Sequence, residues 1–410
     1  MSSSEFFDQI ASHFKEKLPV VAYRKPGERG IKALLQADDR LHILNTFSES
    51  GFVFAPFDST AATILLKPNE ILETSDLPIS DTPIPLANDA IPKPISQPVA
   101  DDSYRLKSNS QEKTSYEQLV AEAIDEIAKG SFQKVVLSRC LDVDSDIPTL
   151  NLFQRLLSLY PKAFCYFWYH PKVGLWMGAT PEILLDLRHR RLTTMSLAGT
   201  QKNGETDNPI WGHKELEEQE LVTGYILNAL QGRVANLSRT PTETVRAGDL
   251  LHLRTKITGR LGSSRAKAGS FDSGSSDTES LESENRGADG LDAIVGALHP
   301  TPAVCGLPKK EALGFIIDNE NYDREYYTGF LGELNLNTER QRNKNRKDQE
   351  NQAYSSRAKT TTLFVNLRCM KLTADRAQIF VGGGITKDSD PEGEWEETVA
   401  KSKTMLKILE

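Results

Sequence analysis

Cysteine is scarce in this sequence: Cys140, Cys165, Cys305 and Cys369 are the only four in 410 residues. None is in CxxC spacing and no histidine cluster accompanies them, which argues against a zinc site and against a disulfide framework. We therefore expect scattered core thiols in a protein from a reducing compartment.

Long apolar runs and dense positive charge are also missing. No run approaches the ~20 residues of a membrane-spanning helix, and Met1–Lys17 lacks the basic start and apolar stretch of a secretory signal. The net charge is −8 with no basic stripe, which argues against nucleic-acid binding. These absences predict a cytoplasmic protein without membrane or nucleic-acid partners, and they leave room for a small anionic substrate.

Hydrophobic residues make up 38% of the chain and charged residues 26%, as in globular proteins with a large core. Apolar periodicity predicts a first helix over 5–17, and short strands at Val20–Tyr23, Leu41–Leu44 and Phe52–Phe54. Proline, serine and aspartate then mark 74–114 as a loop or crossing linker.

The pattern beyond residue 115 mixes helices and strands. Helices are predicted over 116–129, ended by Gly130, and over 212–237 and 394–409. Strands are predicted at 134–143, 163–170, 174–180, 251–261, 361–372 and 378–382. Residues 262–290 and 335–359 are too polar to bury a core and are expected to be flexible surface insertions.

Two single residues could carry acid–base chemistry. Lys134 begins the strand KVVLSR and is either a solvated lysine at a strand edge or a desolvated base. Glu182 lies in a small-residue turn between apolar strands, where a carboxyl can serve as a general acid or simply be a turn residue.

Acidic helices supply candidate metal ligands. HKELEEQELV (213–222) is rich in acids, and in the last helix Glu394 and Glu397 share a face with Lys401. Carboxylates from two helices would suit Mg²⁺, although charged surface helices look the same in sequence. The glycine run VGGGIT (381–386) lacks the spacing of a nucleotide-binding loop but permits close approach of a ligand to the backbone.

These segments occur in an order that resembles the chorismate-utilising enzymes, a family that includes isochorismate, salicylate, anthranilate and aminodeoxychorismate synthases. The order runs KVVLSR, ATPEILL, LAGT, EEQELV, HL, LHPTPAVCGLPK, DREYYTGFLG, VNLRCM, VGGGIT and GEWEETVAKSKTM. The resemblance is strong over about residues 115–410 and only general before that.

The resemblance implies one α/β domain of the anthranilate synthase component I type over residues 1–410. Two similar halves would place antiparallel sheets in a central sandwich, with helices outside and the site in a deep cleft. Residues 1–114 would then be an N-terminal scaffold and 115–410 the catalytic core, with the two polar insertions falling between matched segments.

The resemblance also implies the roles of site residues. Lys134 matches the catalytic base and Glu182 the general acid. Mg²⁺ is the implied cofactor, with Glu218 and Glu397 as ligands and Glu394 as a further carboxylate near the metal. The implied substrate-binding residues are Thr200, His252, Ala303, Val304, Gly306, Tyr327, Arg368, Gly383 and Lys401.

Within that set, Arg368 and Tyr327 match groups that bind the pyruvyl carboxylate of chorismate, and Lys401 matches a lysine near the ring carboxylate. The sequence departs from the family at Gln219, where members often carry histidine. The preceding Glu218 is retained, so metal binding is still expected.

Among the family's reactions, the resemblance favours isochorismate synthase, a hydroxymutase-type isomerase of menaquinone or siderophore biosynthesis. Anthranilate synthase has glutamine at the position of Lys134, whereas a lysine there fits activation of water; the same lysine is a nucleophile in aminodeoxychorismate synthase. LAGT (197–200) and HPTPAVCGLPK (299–309) also favour the isochorismate branch. Salicylate synthase is the alternative, followed by the ammonia-using enzymes. We expect a monomer that needs no glutaminase subunit.

Overall fold

A computed structural model describes residues 1–75, 102–202, 209–247, 250–262, 290–338 and 358–410. The helices in these ranges are α1 (Ser3–Lys15), α2 (Asp102–Ala128), α3 (Thr149–Leu159), α4 (His213–Leu230), α5 (290–298), α6 (Lys309–Asn319) and α7 (Pro391–Leu409).

The strands form two antiparallel sheets, each of nine strands. The first sheet contains β1 (Val20–Arg24), β2 (Ile31–Leu35), β5 (Glu70–Thr74), β6 (Lys134–Asp144), β7 (Phe164–His170), β8 (Gly174–Thr180), β14 (Gly306–Leu307), β17 (Cys369–Leu372) and β18 (Arg376–Ile385). Its spatial order is β14-β6-β18-β17-β8-β7-β1-β2-β5. Within this sheet, the longest pairing joins β6 to β18 from Val135–Ile385 to Asp144–Arg376.

The second sheet contains β3 (Gly51–Ala55), β4 (Ile64–Leu66), β9 (Ile183–Arg188), β10 (Arg191–Lys202), β11 (Val234–Arg239), β12 (Glu243–Ala247), β13 (Leu250–Leu261), β15 (Phe330–Thr338) and β16 (Ala358–Val365). Its order is β11-β13-β10-β9-β16-β15-β3-β4, and β12 also pairs with β13. A register shift between Ala198 and Thr200 bends β10 where it faces β13.

The two sheets pack face to face through aromatic side chains. Phe164 of β7 stacks on Phe364 of β16 with ring centroids 4.0 Å apart, and Phe54 of β3 lies 4.5 Å from Trp168 of β7. Aromatic rings bury large apolar areas, and the same buried cluster also contains Tyr23, Phe52, Tyr166, Trp176 and Phe380. The result is the antiparallel sandwich expected from the resemblance.

Helices cover both outer faces of the sandwich. On the first sheet, α1, α3 and α7 contribute Phe7, Phe153 and Met405 to one buried cluster. On the second sheet, α4 and α5 contribute Ile226 and Ile294 to another. The apolar spacing of these helices in the sequence thus corresponds to faces that lie against a sheet.

Several predicted boundaries were wrong because pairing with distant strands decides them. The helix predicted over 212–237 ends at Leu230: Gly232 adopts φ 78°, the usual end of a helix, and Val234–Arg239 pairs with β13. The strand predicted over 361–372 is interrupted after Val365, and the chain resumes as β17 at Cys369.

The polar segments also differ in part from the prediction. Helix α2 begins at Asp102, inside the predicted loop of 74–114, where lysine, glutamate and glutamine favour helix; residues 76–101 lie outside the described ranges. Strands β15 and β16 include both ends of the predicted 335–359 insertion, whose centre is not described. Most of 262–290 also lies outside the described ranges. Leu41–Leu44 forms only the isolated bridge Ile43–Ile64.

All four cysteines are free thiols, with three buried and Cys140 half-buried. Among the described residues, no helix is both long enough and apolar enough to cross a membrane.

Candidate active site

A cavity lies where both sheets, α4 and α7 meet. It is lined in part by Gly199 of β10, Glu218 of α4, His252 of β13 and Gly383 of β18, so both sheets contribute walls. The candidate site residues on its surface are Glu182, Thr200, Glu218, His252, Ala303, Val304, Tyr327, Arg368, Gly383, Glu397 and Lys401. Segments as far apart in sequence as Val136 and Lys401 therefore converge on one cavity.

Lys134 lies just behind this surface. It is the first residue of β6, its side chain is fully buried, and its Nζ lies 2.7 Å from Glu218 Oε1. A methyl group on Gly384, which lines the cavity, would come within 2.9 Å of Lys134 Cε. The structure thus favours the buried interpretation of this lysine over a solvated one at a strand edge.

Gly306 does not line the cavity. It pairs with Val135 in the short strand β14, and a Cβ there would lie 2.3 Å from the carbonyl oxygen of Lys134. Its φ of 150° belongs to a region that favours glycine. The predicted place of Gly306 on the pocket wall is corrected to a place against β6, because this backbone contact requires a residue without a side chain.

Glu182 occupies the turn between β8 and β9 and is buried. Burial raises the pKa of its carboxyl to about 8, because the opposing positive charges of Lys134, Arg368 and Lys401 do not offset desolvation. The carboxyl is therefore protonated at neutral pH and can donate a proton into the cavity.

Two hydrogen-bond partners fix His252 as a neutral ring, because one can only donate and the other can only accept. Arg368 can only donate, so its Nη2, 2.6 Å from His252 Nε2, requires that nitrogen to be the acceptor. The proton then lies on Nδ1, which donates to the carbonyl oxygen of Gly199 at 3.0 Å. Burial, with the charges of Arg368 and Lys401, lowers the pKa of His252 well below its ordinary value.

Arg368 occupies the interruption between β16 and β17. Its φ of 48° is in the left-handed region that side chains rarely adopt, a kind of strain that is common at functional sites. The turn directs the guanidinium to His252 and to the carbonyl oxygen of Ala247, 3.1 Å from Nη1. Burial lowers its pKa to about 10, so it still carries a charge at neutral pH.

Two carboxylates on the cavity surface, Glu218 of α4 and Glu397 of α7, each form an ion pair with a lysine. Glu218 Oε2 accepts from the backbone N–H of Gly199 at 3.2 Å. Burial alone would raise the pKa of Glu218, but the charge and hydrogen bond of Lys134, with the charges of Lys401 and Lys214, lower it. On α7, Lys401 Nζ lies 2.7 Å from Glu397 Oε1 and donates to the carbonyl oxygen of Gly382 at 2.8 Å.

Glu394 provides the test of whether a divalent cation fits here. Its Oε1 accepts from Lys214 Nζ at 2.5 Å and Ser389 Oγ at 2.6 Å, but its buried Oε2 has no partner among the described residues. Burial and the charge of Glu397 raise the pKa of Glu394. A buried carboxylate oxygen without a donor, close to a second carboxylate, is a donor set that suits Mg²⁺.

Gln219 explains how the chain tolerates its departure from the family pattern. The side chain is buried; its Oε1 accepts from Ala198 N, and its Nε2 donates to Ser196 Oγ at 2.9 Å and Thr255 Oγ1 at 3.0 Å. These bonds fasten α4 to β10 and β13, next to Glu218. Every polar atom of the amide is used, so glutamine fits this buried position.

Lys214 was missed from the sequence as a site residue. It reaches Glu394 from the first turn of α4. Burial opposes the charge of Lys214, but the charge and hydrogen bond of Glu394, together with the charges of Glu397 and Glu218, raise the lysine's pKa. Its spacing of four from Glu218 on one helix face was the available signal. The residue to which it binds lies 180 positions away and could not be inferred from that spacing.

Proteins of known function that are similar to this chain include isochorismate and anthranilate synthases. Isochorismate synthase EntC of Escherichia coli (strain K12) is 28% identical over 309 residues, covering 73% of this chain and 68% of that protein. Anthranilate synthase component 1 of Methanothermobacter thermautotrophicus is 26% identical over 374 residues, covering 88% of this chain and 67% of that protein.

Among solved structures, that of MenF, the menaquinone-specific isochorismate synthase from Escherichia coli, superposes with a TM-score of 0.69 at 22% identity. The match covers all of this chain and 92% of that one, and it shows that the fold is shared. One family model, described as chorismate binding enzyme, matches residues 85–268 and 283–340, and a second with the same description matches 352–407. The models together span most of the chain, including every segment that lines the cavity, and the chain belongs to the chorismate-binding enzymes.

Proposed function

We propose that the protein is an isochorismate synthase, which isomerises chorismate by adding water at C2 and releasing the C4 hydroxyl. The observation that carries this proposal is the buried carboxyl of Glu182 on the cavity surface, where burial raises its pKa to about 8. Loss of a ring hydroxyl needs a proton donor, and Glu182 lies on the cavity surface in the form that can supply one.

Lys134 is the proposed base. As a neutral amine it would take a proton from the water molecule that attacks C2, while Glu182 gives its proton to the departing hydroxyl. One water is added and one is lost, so the product is an isomer of the substrate. Since Lys134 now pairs with Glu218, this ion pair has to open and the ammonium has to release its proton before the amine can act. After turnover a proton passes from Lys134 back to Glu182, which restores both groups.

The two carboxylates of chorismate match the positive charges of the cavity. Arg368 and Tyr327 are proposed to hold the pyruvyl carboxylate, and Lys401 to lie near the ring carboxylate. Tyr327 is buried and stacks on Phe380 at 5.6 Å, which fixes its ring. Burial raises the pKa of its hydroxyl, so it remains a donor. Neutral His252 beside Arg368 adds no further charge next to the substrate.

Glu218 and Glu397, with Glu394 beside them, are the residues that would hold Mg²⁺. When bound, the cation would neutralise these carboxylates and the ring carboxylate of the substrate. Its proposed place is supported by the partnerless oxygen of Glu394 and by the space above Gly383, where a Cβ would lie 3.1 Å from that oxygen.

Incubation of the purified protein with chorismate and Mg²⁺ tests the proposal, with products separated by chromatography and pyruvate measured by a coupled assay. We expect isochorismate in equilibrium with chorismate, Mg²⁺-dependent turnover, and no pyruvate above background. Salicylate with stoichiometric pyruvate would instead identify a salicylate synthase.

An amine-adding reaction is the second candidate, because anthranilate synthase components are also among the relatives. The buried Lys134 opposes ammonia addition of the anthranilate type, since the resemblance places glutamine at that position in those enzymes. Repeating the assay with ammonium separates the two: an amino product formed only with ammonium would replace the isochorismate proposal.

A further inference from the structure

The hydroxyl group of Tyr116 has no part in the function proposed above. The residue lies on α2, is 4% exposed, and packs its ring against Trp395 of α7 with centroids 6.0 Å apart. Its Oη has no hydrogen-bond partner among the described residues. A buried hydroxyl without a partner destabilises a fold, so its orientation needs a physical reason.

The hydroxyl points to the same small space as two carboxylates of the proposed cation site. A Cβ built on Gly383 would lie 3.1 Å from Glu394 Oε2, 3.8 Å from Glu397 Oε1 and 3.8 Å from Tyr116 Oη. Glu394 Oε2 and Tyr116 Oη are both buried and both lack a partner in the described ranges. A donor and an acceptor therefore surround one space that the absence of a side chain at Gly383 leaves open.

Tyr116 Oη and Glu394 Oε2 make no direct hydrogen bond, and they are close enough for a bridge. The two distances from the Gly383 Cβ position limit the separation of Tyr116 Oη and Glu394 Oε2 to about 6.9 Å. A single bridging water spans roughly 5.6 Å through two bonds of about 2.8 Å. Burial and the charges of Glu394 and Glu397 raise the pKa of Tyr116, so the hydroxyl stays protonated and can donate.

We propose that Tyr116 is a positioning residue of the cation site, whose hydroxyl donates a hydrogen bond to a water in the hydration shell of the Mg²⁺ held beside Glu394 and Glu397. Mg²⁺ in proteins usually keeps several of its waters, and residues that bind such waters orient the direct ligands. This inference rests on the proposed magnesium-dependent function.

The test is Tyr116→Phe, which removes the hydroxyl and keeps the ring on Trp395. Mg²⁺ is titrated into the purified full-length protein by calorimetry without substrate, and melting temperatures are measured with and without Mg²⁺. We expect the Mg²⁺ dissociation constant to rise about tenfold or more. The metal-free melting temperature should stay the same or rise, because a partnerless buried group is removed.

Tyr225→Phe is the matched control. Its Oη donates to the carbonyl oxygen of Ala297 at 2.9 Å, and Tyr225 does not line the cavity. We expect this variant to melt at a lower temperature and to bind Mg²⁺ as the unaltered protein does.

The outcomes separate the inference from the proposed function. Unchanged Mg²⁺ affinity in Tyr116→Phe, with normal binding by the unaltered protein, overturns the role of Tyr116 and leaves the cation site standing. Equal weakening in Tyr225→Phe overturns that role as well. No Mg²⁺ binding by the unaltered protein would remove the cation site itself, and the inference with it.

Discussion

At the scale of single residues, the surroundings of Glu182 set the pH dependence expected of the enzyme. Its pKa of about 8 means that the proton-donating form is lost as the pH rises through that value. We expect kcat to fall above about pH 8, and Glu182→Gln to lower kcat by roughly 10²–10⁴-fold. A pH profile of initial rates for both proteins checks this; a flat profile between pH 7 and pH 9 would contradict it.

The same carboxyl also affects stability. Its folded-state pKa of about 8 exceeds the ordinary 4.5, so the folded protein binds more protons between these values. The stability that protonation contributes is present below about pH 4.5 and is lost as the pH rises through 8. Glu182→Gln should therefore gain stability relative to the parent on going from pH 5 to pH 8, as measured by urea denaturation at both pH values.

Replacing Lys134 should affect turnover and Mg²⁺ binding differently, because its ion-pair partner Glu218 is a proposed metal ligand. Lys134→Ala should abolish turnover, since the base is gone, while Mg²⁺ affinity is retained or improved, because Glu218 loses the cation that now occupies one of its oxygens. Calorimetric titration of Mg²⁺ and the chromatographic assay measure the two effects. Chorismate turnover at the parental rate would refute the assignment of Lys134 as the base.

Residue type alone left Glu182 as either a general acid or a turn residue, and Glu397 as either a metal ligand or a surface charge; only the order of the motifs implied their roles. The hydrogen-bond partners of the site residues could not be inferred from the sequence. The bond between Lys134 and Glu218 joins residues 84 positions apart, and the open hydroxyl of Tyr116 depends on the packing of α2 against α7. Such relations are set by the tertiary fold and leave no local pattern.

At the scale of elements, strand β18 brings consecutive glycines past the site without side chains. A Cβ on Gly384 would lie 2.6 Å from Glu218 Oε1 and 2.9 Å from Lys134 Cε. We expect Gly384→Ala to destabilise the fold by about 1–3 kcal/mol, as overpacking does, and to reduce turnover. Urea denaturation and the product assay check both.

Gly314 gives the matched control for that substitution. It lies within α6, and a Cβ there would meet nothing within 4 Å. Gly314→Ala should therefore stabilise the protein by about 0.5–1 kcal/mol, the usual preference of a helix for alanine over glycine. Destabilisation by both substitutions would show that the contact at Gly384 is not the cause.

A buried ion pair connects β6 to the segments before β14 and after α6. Arg324 binds Glu320 through Nε at 2.7 Å and also donates to the carbonyl oxygens of Val136 at 2.7 Å and Val304 at 3.1 Å. Val136 and Val304 both line the cavity. Arg324→Leu should cost about 3–5 kcal/mol of unfolding free energy, because it leaves the carboxylate of Glu320 buried and unpaired.

Arg239→Ala is the control for the ion-pair prediction. The Arg239–Glu220 pair is formed at 2.9 Å but its side chains are 48% and 64% exposed, so its loss should cost at most about 1 kcal/mol. Equal losses in the two variants, by urea denaturation, would contradict the role given to burial.

Elements were predictable where apolar pattern and length agree, as in β7, and where a glycine ends a helix, as Gly130 does after α2. The end of α4 was not predictable, because Val234–Arg239 becomes a strand only by pairing with β13. The interruption at Arg368 was not predictable either, because its left-handed backbone departs from the β preference of the flanking residues.

At the scale of the whole molecule, the first 75 residues belong to both sheets. Strands β1, β2 and β5 lie in the first sheet and β3 and β4 in the second, with Phe52 and Tyr23 buried between them. This arrangement supports the single-domain organisation proposed for residues 1–410. A fragment that begins at Asp102 should lack stable tertiary structure, as judged by near-ultraviolet circular dichroism, whereas a cooperatively folded fragment would show that the N-terminal part is a separable unit.

The convergence of β6, β10, β13, β18 and α7 on one cavity also has a kinetic consequence. Their pairings join residues far apart along the chain, as when Val135 meets Ile385, and contacts of high sequence separation form slowly because long loops must close first. During refolding from denaturant, helical circular dichroism should therefore return before the catalytic groups are assembled. Recovered turnover would report the last stage of folding, when the chain's distant segments have found one another.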